Sequence, residues 1–139
     1  MKCTATLFGL AALLTSSSAS PVEVQARAIT SASFSDYTVS CNGSTCSYST
    51  NIALSDGTAT SCTHTTTGAT IPANTGFWTC TVAGLVPRLN KLGAPVSAYR
   101  ITLTDARVPG SSVTLAHLSP FSEWPGDAAY TGPSSFTAP

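Results

Sequence analysis

From residue 29 to residue 118 the chain alternates apolar and polar positions in short runs, and the period is two. Side chains at i and i+2 share a face of a strand, so each run predicts a strand with one face toward a core. The first, Phe34 to Cys41, aligns Tyr37, Val39 and Cys41. Asn42-Gly43 follows, and both residues tolerate positive φ, which predicts a turn. The second run, Cys46 to Leu54, sets Cys46, Tyr48, Ile52 and Leu54 against Ser47, Ser49, Asn51 and Ala53, so the two runs form a hairpin. Asp56-Gly57 predicts the next turn, into a threonine-rich strand from Thr58 to Thr67 that holds Cys62 and His64. After a loop broken by Pro72, Asn74 and Gly76, the run Phe77 to Val82 aligns Trp78, Cys80 and Val82, which marks Cys80 as buried and oxidised. Two later runs, Val96 to Thr104 and Ser112 to Leu118, align Tyr99, Ile101 and Leu103, then Val113 and Leu115, about a turn at Val108-Pro109-Gly110.

Two stretches are read differently, from their breaker residues. Residues 84–95 carry Gly84, Pro87, Gly93 and Pro95, and are expected as a long surface connection with at most one helical turn, presenting Arg88 and Lys91. Residues 119–139 hold Pro120, Pro125, Pro133 and Pro139 with Phe121, Trp124, Tyr130 and Phe136 among them, and are expected to be extended. The fold class is therefore all-β: a small disulfide-bonded antiparallel β-barrel or sandwich of six to seven short strands.

The N-terminus is expected to be a signal peptide spanning residues 1–19. Lys2 supplies a positive start, Leu7 to Leu14 an apolar run, and Ser17 and Ala19 the small residues before a cleavage site. That run is far shorter than the roughly 20 residues a transmembrane helix needs, so stable membrane insertion is not expected. Residues 20–28 read as a pro-segment ending near Arg27 or as a disordered tail. Cys3 leaves with the signal, so Cys41, Cys46, Cys62 and Cys80 remain as an even set on an oxidising route.

Composition agrees with an extracellular destination. Charged residues are 9% of the chain, with six basic and six acidic residues and zero formal net charge, while Ser and Thr fill 42 positions. No basic face for a phosphate backbone is expected, which argues against nucleic acid as a partner. Asn42-Gly43-Ser44 is the one N-glycosylation sequon, placed at a turn tip.

Four cysteines allow three pairings. Loop-closure entropy gives about 2 and about 3 kcal/mol for Cys41–Cys46 with Cys62–Cys80, and ~7 kcal/mol in total for Cys46–Cys62 nested in Cys41–Cys80, a difference smaller than the uncertainty of the relation. Geometry turns on the loop after Cys41. A four-residue loop places Cys41 opposite Cys46, whereas a two-residue turn at Asn42-Gly43 leaves them diagonal, about 7 to 8 Å apart and beyond bridging distance.

A cysteine in a polar strand, a long loop and then an aromatic pair ending in a second cysteine, here Cys62 to Phe77-Trp78-Thr79-Cys80, resembles the fungal secreted β-barrel family typified by the Alternaria major allergen. The resemblance covers about 50 of the 139 residues. It implies a Cys62–Cys80 bridge and leaves Cys41 with Cys46. The chain departs from the family in having no second cysteine pair near its C-terminus and in its Cys41-x-x-x-x-Cys46 element. In size, signal and cysteine count it is similar to small secreted proteins of plant-associated fungi that act as effectors or elicit plant cell death.

Candidate chemistry is sparse. His64 or His117 with Asp105 and a serine forms a triad on paper, but no Gly-x-Ser-x-Gly elbow makes it specific. No metal-ligand spacing, no Cys-x-x-Cys and no cofactor motif occurs, so no catalytic residue, metal or cofactor is assigned. Recognition is the better candidate, through Trp124, Tyr130 and Phe136 if exposed among the prolines, or through Arg88 and Lys91 facing an anionic partner. The competing reading makes the three aromatics a lid across one end of the fold. The expected function is a non-enzymatic effector or elicitor whose partner is a host protein or cell-surface component; the alternative is a carbohydrate- or lipid-binding module of the fungal cell surface.

Overall fold

The computed structural model describes residues 28–139. The expected signal peptide and nearly all of the segment after it lie outside the described residues. Eight strands form two antiparallel sheets. The wider sheet has the order β4-β3-β2-β1-β8, from β1 (Ala32–Cys41), β2 (Thr45–Leu54), β3 (Ala59–Thr67), β4 (Thr79–Cys80) and β8 (Phe136–Ala138). The narrower sheet is β5-β6-β7, from β5 (Leu85–Leu92), β6 (Ala98–Val108) and β7 (Ser111–Pro120). The sheets do not close into a barrel. They lie face to face as a sandwich, and one buried cluster draws on both, with Phe34, Tyr48 and Ile52 from one side and Leu89, Tyr99, Ile101 and Leu103 from the other.

β2 alternates without interruption, burying Cys46, Tyr48, Thr50, Ile52 and Leu54. β1 buries both Phe34 and Tyr37, three residues apart, which a regular strand forbids. A β-bulge resolves this: the register with β2 shifts between Ser35 and Thr38, and Asp36 takes φ 51°. One extra residue thus returns Tyr37 and Val39 to the face that holds Ala32 and Phe34.

The cysteines pair as Cys41–Cys46 and Cys62–Cys80. The β1–β2 register sets Cys41 directly opposite Cys46, so the connection is the four-residue loop. Asn42 closes it: its Oδ1 accepts the backbone N–H of Ser44 at 3.3 Å and of Thr45 at 3.0 Å, with Gly43 at φ 90° between them.

The expectation of a surface connection over residues 84–95 is corrected, because Leu85–Leu92 is a strand. Leu85, Pro87 and Leu89 point into the core while Val86, Arg88 and Asn90 point outward. Pro87 fits because its backbone faces away from β6, where its carbonyl accepts the Trp78 N–H at 3.0 Å and its missing donor is not needed. The free edge of β5 is covered by residues 73–78, through Lys91 N–H to Ala73 O at 2.8 Å and Thr75 N–H to Leu89 O at 3.1 Å.

The last twenty residues also fold onto the sandwich. Two short 3-10 turns, Phe121–Glu123 and Pro125–Asp127, lead back to β8, which pairs with β1 and buries Ala138. Arg107, beside the β6 bulge, ties the two sheets together. Its guanidinium donates to both oxygens of Asp105, at 2.8 and 2.7 Å, to Asp56 at 2.6 Å and to Thr58 at 2.6 Å in the β2–β3 turn. Gly84 passes so close that a Cβ there would lie 3.0 to 3.1 Å from Arg107 atoms.

Candidate functional site

The aromatic side chains of the C-terminal segment build an interior. Trp124 is 2% exposed, and its Nε1–H donates to Ser119 Oγ at 2.6 Å while the Ser119 hydroxyl donates to the Glu123 carboxylate. Trp124 as an exposed recognition residue is therefore corrected: a solvated indole would forfeit that donor's partner and the large apolar area it covers. Tyr130 and Phe136 are half-buried and join it around Tyr37, whose ring meets those of Phe34, Trp78, Trp124, Tyr130 and Phe136 at 5.0 to 6.4 Å. The three aromatics thus form the lid. Gly132 permits the closure, since a Cβ there would come within 2.5 Å of the Tyr130 hydroxyl.

This packing shifts all four phenols upward. Burial, with Tyr130 and Tyr48 nearby, raises Tyr37 well above its ordinary value, and its hydroxyl has no hydrogen-bond partner among the described residues. Burial and the Glu123 charge push Tyr130 up to about 12. Tyr99 is raised by burial and by its 2.7 Å hydrogen bond to Asp127, and Tyr48 by burial.

The titratable groups considered for catalysis serve packing and pairing. His64 Nε2 lies 2.6 Å from the Thr75 carbonyl, so that nitrogen carries the proton and donates, and the ring lies parallel to Trp78. His117 stacks on Phe136 at 4.3 Å. Asp105 is held by Arg107, whose hydrogen bonds lower its pKa against the opposing effect of burial. Burial pushes Asp56 upward, but the Thr58 backbone N–H and Arg107 outweigh it, and its pKa is lowered too. Among the described residues no group of three or more His, Cys, Asp or Glu side chains is arranged to hold a metal ion.

The cations expected to act together are separated. Lys91 pairs with Asp127, whose carboxyl it lowers, and its ammonium lies 5.4 Å from the Phe121 ring centroid. Arg88 points outward from β5, where its Nε–H donates to Asn74 Oδ1 at 2.9 Å and its guanidinium lies 5.3 Å from the Phe77 ring centroid. Phe77 is 66% exposed. Pairing across the narrow sheet sets Arg88 beside Thr102 and Ala116, and Asn90 beside Arg100 and Leu118. Neither Arg88 nor Arg100 forms an ion pair among the described residues. The outer face of β5-β6-β7 therefore gathers two unpaired guanidiniums with exposed Phe77 and Leu118.

The wide sheet turns a different face to solvent. Cross-strand rows of Thr38, Ser49, Thr63 and Thr79, and of Ser40, Ser47 and Thr65, cover it with hydroxyls. A shallow depression of about 440 Å³ there is bordered by Ser35, Asn51, Ala53, Ala59, Ser61 and Thr81 and contains no aromatic side chain. Asn42 is exposed at the hairpin tip. Four hydrogen bonds converge on its Oδ1, and none of them uses Nδ2, the atom that N-glycosylation modifies.

Phe77, Arg100 and Leu118 were not among the residues expected from sequence to mediate recognition. A signal existed, because each lies out of phase with buried neighbours: Phe77 with Trp78, Arg100 with Tyr99 and Ile101, and Leu118 with Ser119. No helix among the described residues is long and apolar enough to cross a membrane. No protein-family model, curated protein or solved structure shows a significant match to this chain.

Proposed function

We propose that this protein is a secreted, non-enzymatic recognition module of the fungal effector or elicitor kind. It acts at the plant surface or apoplast, where it engages a host protein or cell-surface component and induces or modulates host defence. One observation carries the reading: Phe77, Arg88, Arg100 and Leu118, which the fold leaves unburied or unpaired, collect on one side of an otherwise filled sandwich. Exposed apolar and cationic groups gathered on one face are a common basis for binding. Two disulfides and a hydroxyl-covered second face suit a chain that must persist outside a cell.

The test is infiltration of the oxidised, folded protein into leaves. Defence or cell death is expected from the native protein and from His64→Ala and His117→Ala variants that keep its circular dichroism. A response abolished by either change, with the fold intact, contradicts the non-enzymatic reading. A second reading, a carbohydrate-binding module, draws on Asn90, Thr102 and Phe77 beside the guanidiniums on the narrow sheet's outer face. Retention on an uncharged insoluble polysaccharide such as chitin or cellulose distinguishes it. Glycosylation at Asn42 belongs to the same secreted reading and is checked by mass spectrometry of the natural protein.

A further inference from the structure

We infer that the outer face of β5-β6-β7 docks an acidic polysaccharide, a polymer of uronic acid residues. The inference rests on the recognition reading above and names its ligand class. Register fixes a four-residue checkerboard at the centre of the face: Arg88 pairs with Thr102 and Asn90 with Arg100, so the two arginines sit on one diagonal and the two neutral hydrogen-bonding residues on the other. Diagonal neighbours in a sheet are about 7 to 8 Å apart.

Charge complementarity selects an anion. Asp56 and Asp105 are engaged by Arg107, Asp127 by Lys91, Asp36 by Asn51 and Glu123 by Ser119, so no described carboxylate lies against Arg88 or Arg100. Arg88 is held ready. Asn74 Oδ1 receives both the Gly76 N–H and the Arg88 Nε–H, each at 2.9 Å, which fixes the guanidinium beside Phe77 and leaves its terminal nitrogens for a ligand. A planar guanidinium takes a carboxylate through two parallel hydrogen bonds.

The neighbours point to sugar. A polyuronate presents carboxylates interspersed with hydroxyls, which matches guanidiniums interspersed with Asn90 and Thr102. Phe77, 66% exposed, offers a ring face to the C–H side of a pyranose, and Leu118, 53% exposed, offers apolar contact beside Arg100. A peptide adding as a strand beside Arg88 finds the β5 edge already covered by residues 73–78, and one adding at β7 would lie at the opposite edge of the sheet from Arg88. An anionic membrane would gain only about 1 kcal/mol from each of two arginines.

The test uses the oxidised protein with polygalacturonate, measured by calorimetry at low and high salt. Dextran, phosphatidylserine vesicles and poly-glutamate are run in parallel. Binding to polygalacturonate that weakens with salt, exceeding that to the other three, is expected. Arg88→Gln with Arg100→Gln should weaken it by at least about tenfold with an unchanged melting temperature. Arg88→Lys with Arg100→Lys, which keeps the charge and removes the fork, should weaken it by a few-fold. Absence of polygalacturonate binding overturns the inference, as does binding unaffected by either double variant or matched by vesicles or poly-glutamate. A native protein that elicits the leaf response but does not bind polygalacturonate defeats this inference and leaves the recognition reading standing. Polygalacturonate binding without any leaf response has the opposite meaning.

Discussion

The two sheets of this sandwich are stabilised and surfaced in opposite ways. The wide sheet carries both disulfides and an outer face of small hydroxylated side chains. The narrow sheet has no covalent cross-link, is joined to its partner through the core and the Arg107 network, and exposes the unpaired arginines and Phe77. The contrast suggests a division of labour: the wide sheet makes the molecule durable, and the narrow sheet gives it something to bind with. It also shows that aromatic content alone is a poor guide to a binding surface here, because Trp124 is interior while Phe77 is not.

The sharpest way to break that contrast is to exchange the roles of its aromatics. Trp124→Ala should cost about 4 kcal/mol of stability, as for a buried indole, while Phe77→Ala should cost less than about 0.5 kcal/mol. Chemical denaturation of the two variants checks this. Removing Cys62–Cys80 by a double alanine change should cost about 3 kcal/mol, and removing Cys41–Cys46 about 2, because the first closes the longer loop. Neither should change the affinity of the narrow face while the protein remains folded.

Arg107→Ala should cost about 2 kcal/mol, below the range for a fully buried pair because the side chains keep some exposure. It should also alter the acid limb of stability. Asp56 and Asp105, the carboxylates that Arg107 holds, have lowered folded-state pKa values, so their contribution is fully present above the ordinary carboxylate value of about 4 and is lost as pH falls through the lower folded values. The variant should lose less on acidification than the native protein. At the other end, all four tyrosines are raised, so their contribution is present below about pH 10 and disappears as pH rises through the folded values. Tyrosinate absorbance should therefore appear together with unfolding. Tyr37→Phe should be neutral or stabilising by about 1 kcal/mol because the buried hydroxyl has no partner among the described residues.

Much of the fold was legible because strand alternation is a local signal. The first hairpin, the threonine-rich third strand and the aligned Tyr99, Ile101 and Leu103 required no long-range information. β5 was obscured because Pro87 interrupts it and Gly84, Gly93 and Pro95 flank it, although Leu85, Pro87 and Leu89 already alternate with Val86, Arg88 and Asn90. Proline is acceptable there because β5 is an edge strand and the Pro87 backbone faces away from β6, a placement that the sequence order does not reveal. The contact from Arg107 to Asp56, 51 residues away, is likewise a product of assembly, whereas the Asn42 side-chain bond that fixes the Cys41–Cys46 loop is local. The binding face was half visible, since Arg88 was recognised as a cation but Arg100 became its diagonal neighbour only through the β5–β6 register.

The division between a durable sheet and a binding sheet is tested most directly by titrating isotope-labelled, oxidised protein with polygalacturonate and following its backbone amide resonances. The largest shifts are expected at Phe77, Arg88, Asn90, Arg100, Thr102 and Leu118, with Ser47, Ser49, Thr63 and Thr65 unmoved. Shifts centred on those hydroxyl rows, or no shifts at all, would contradict the account.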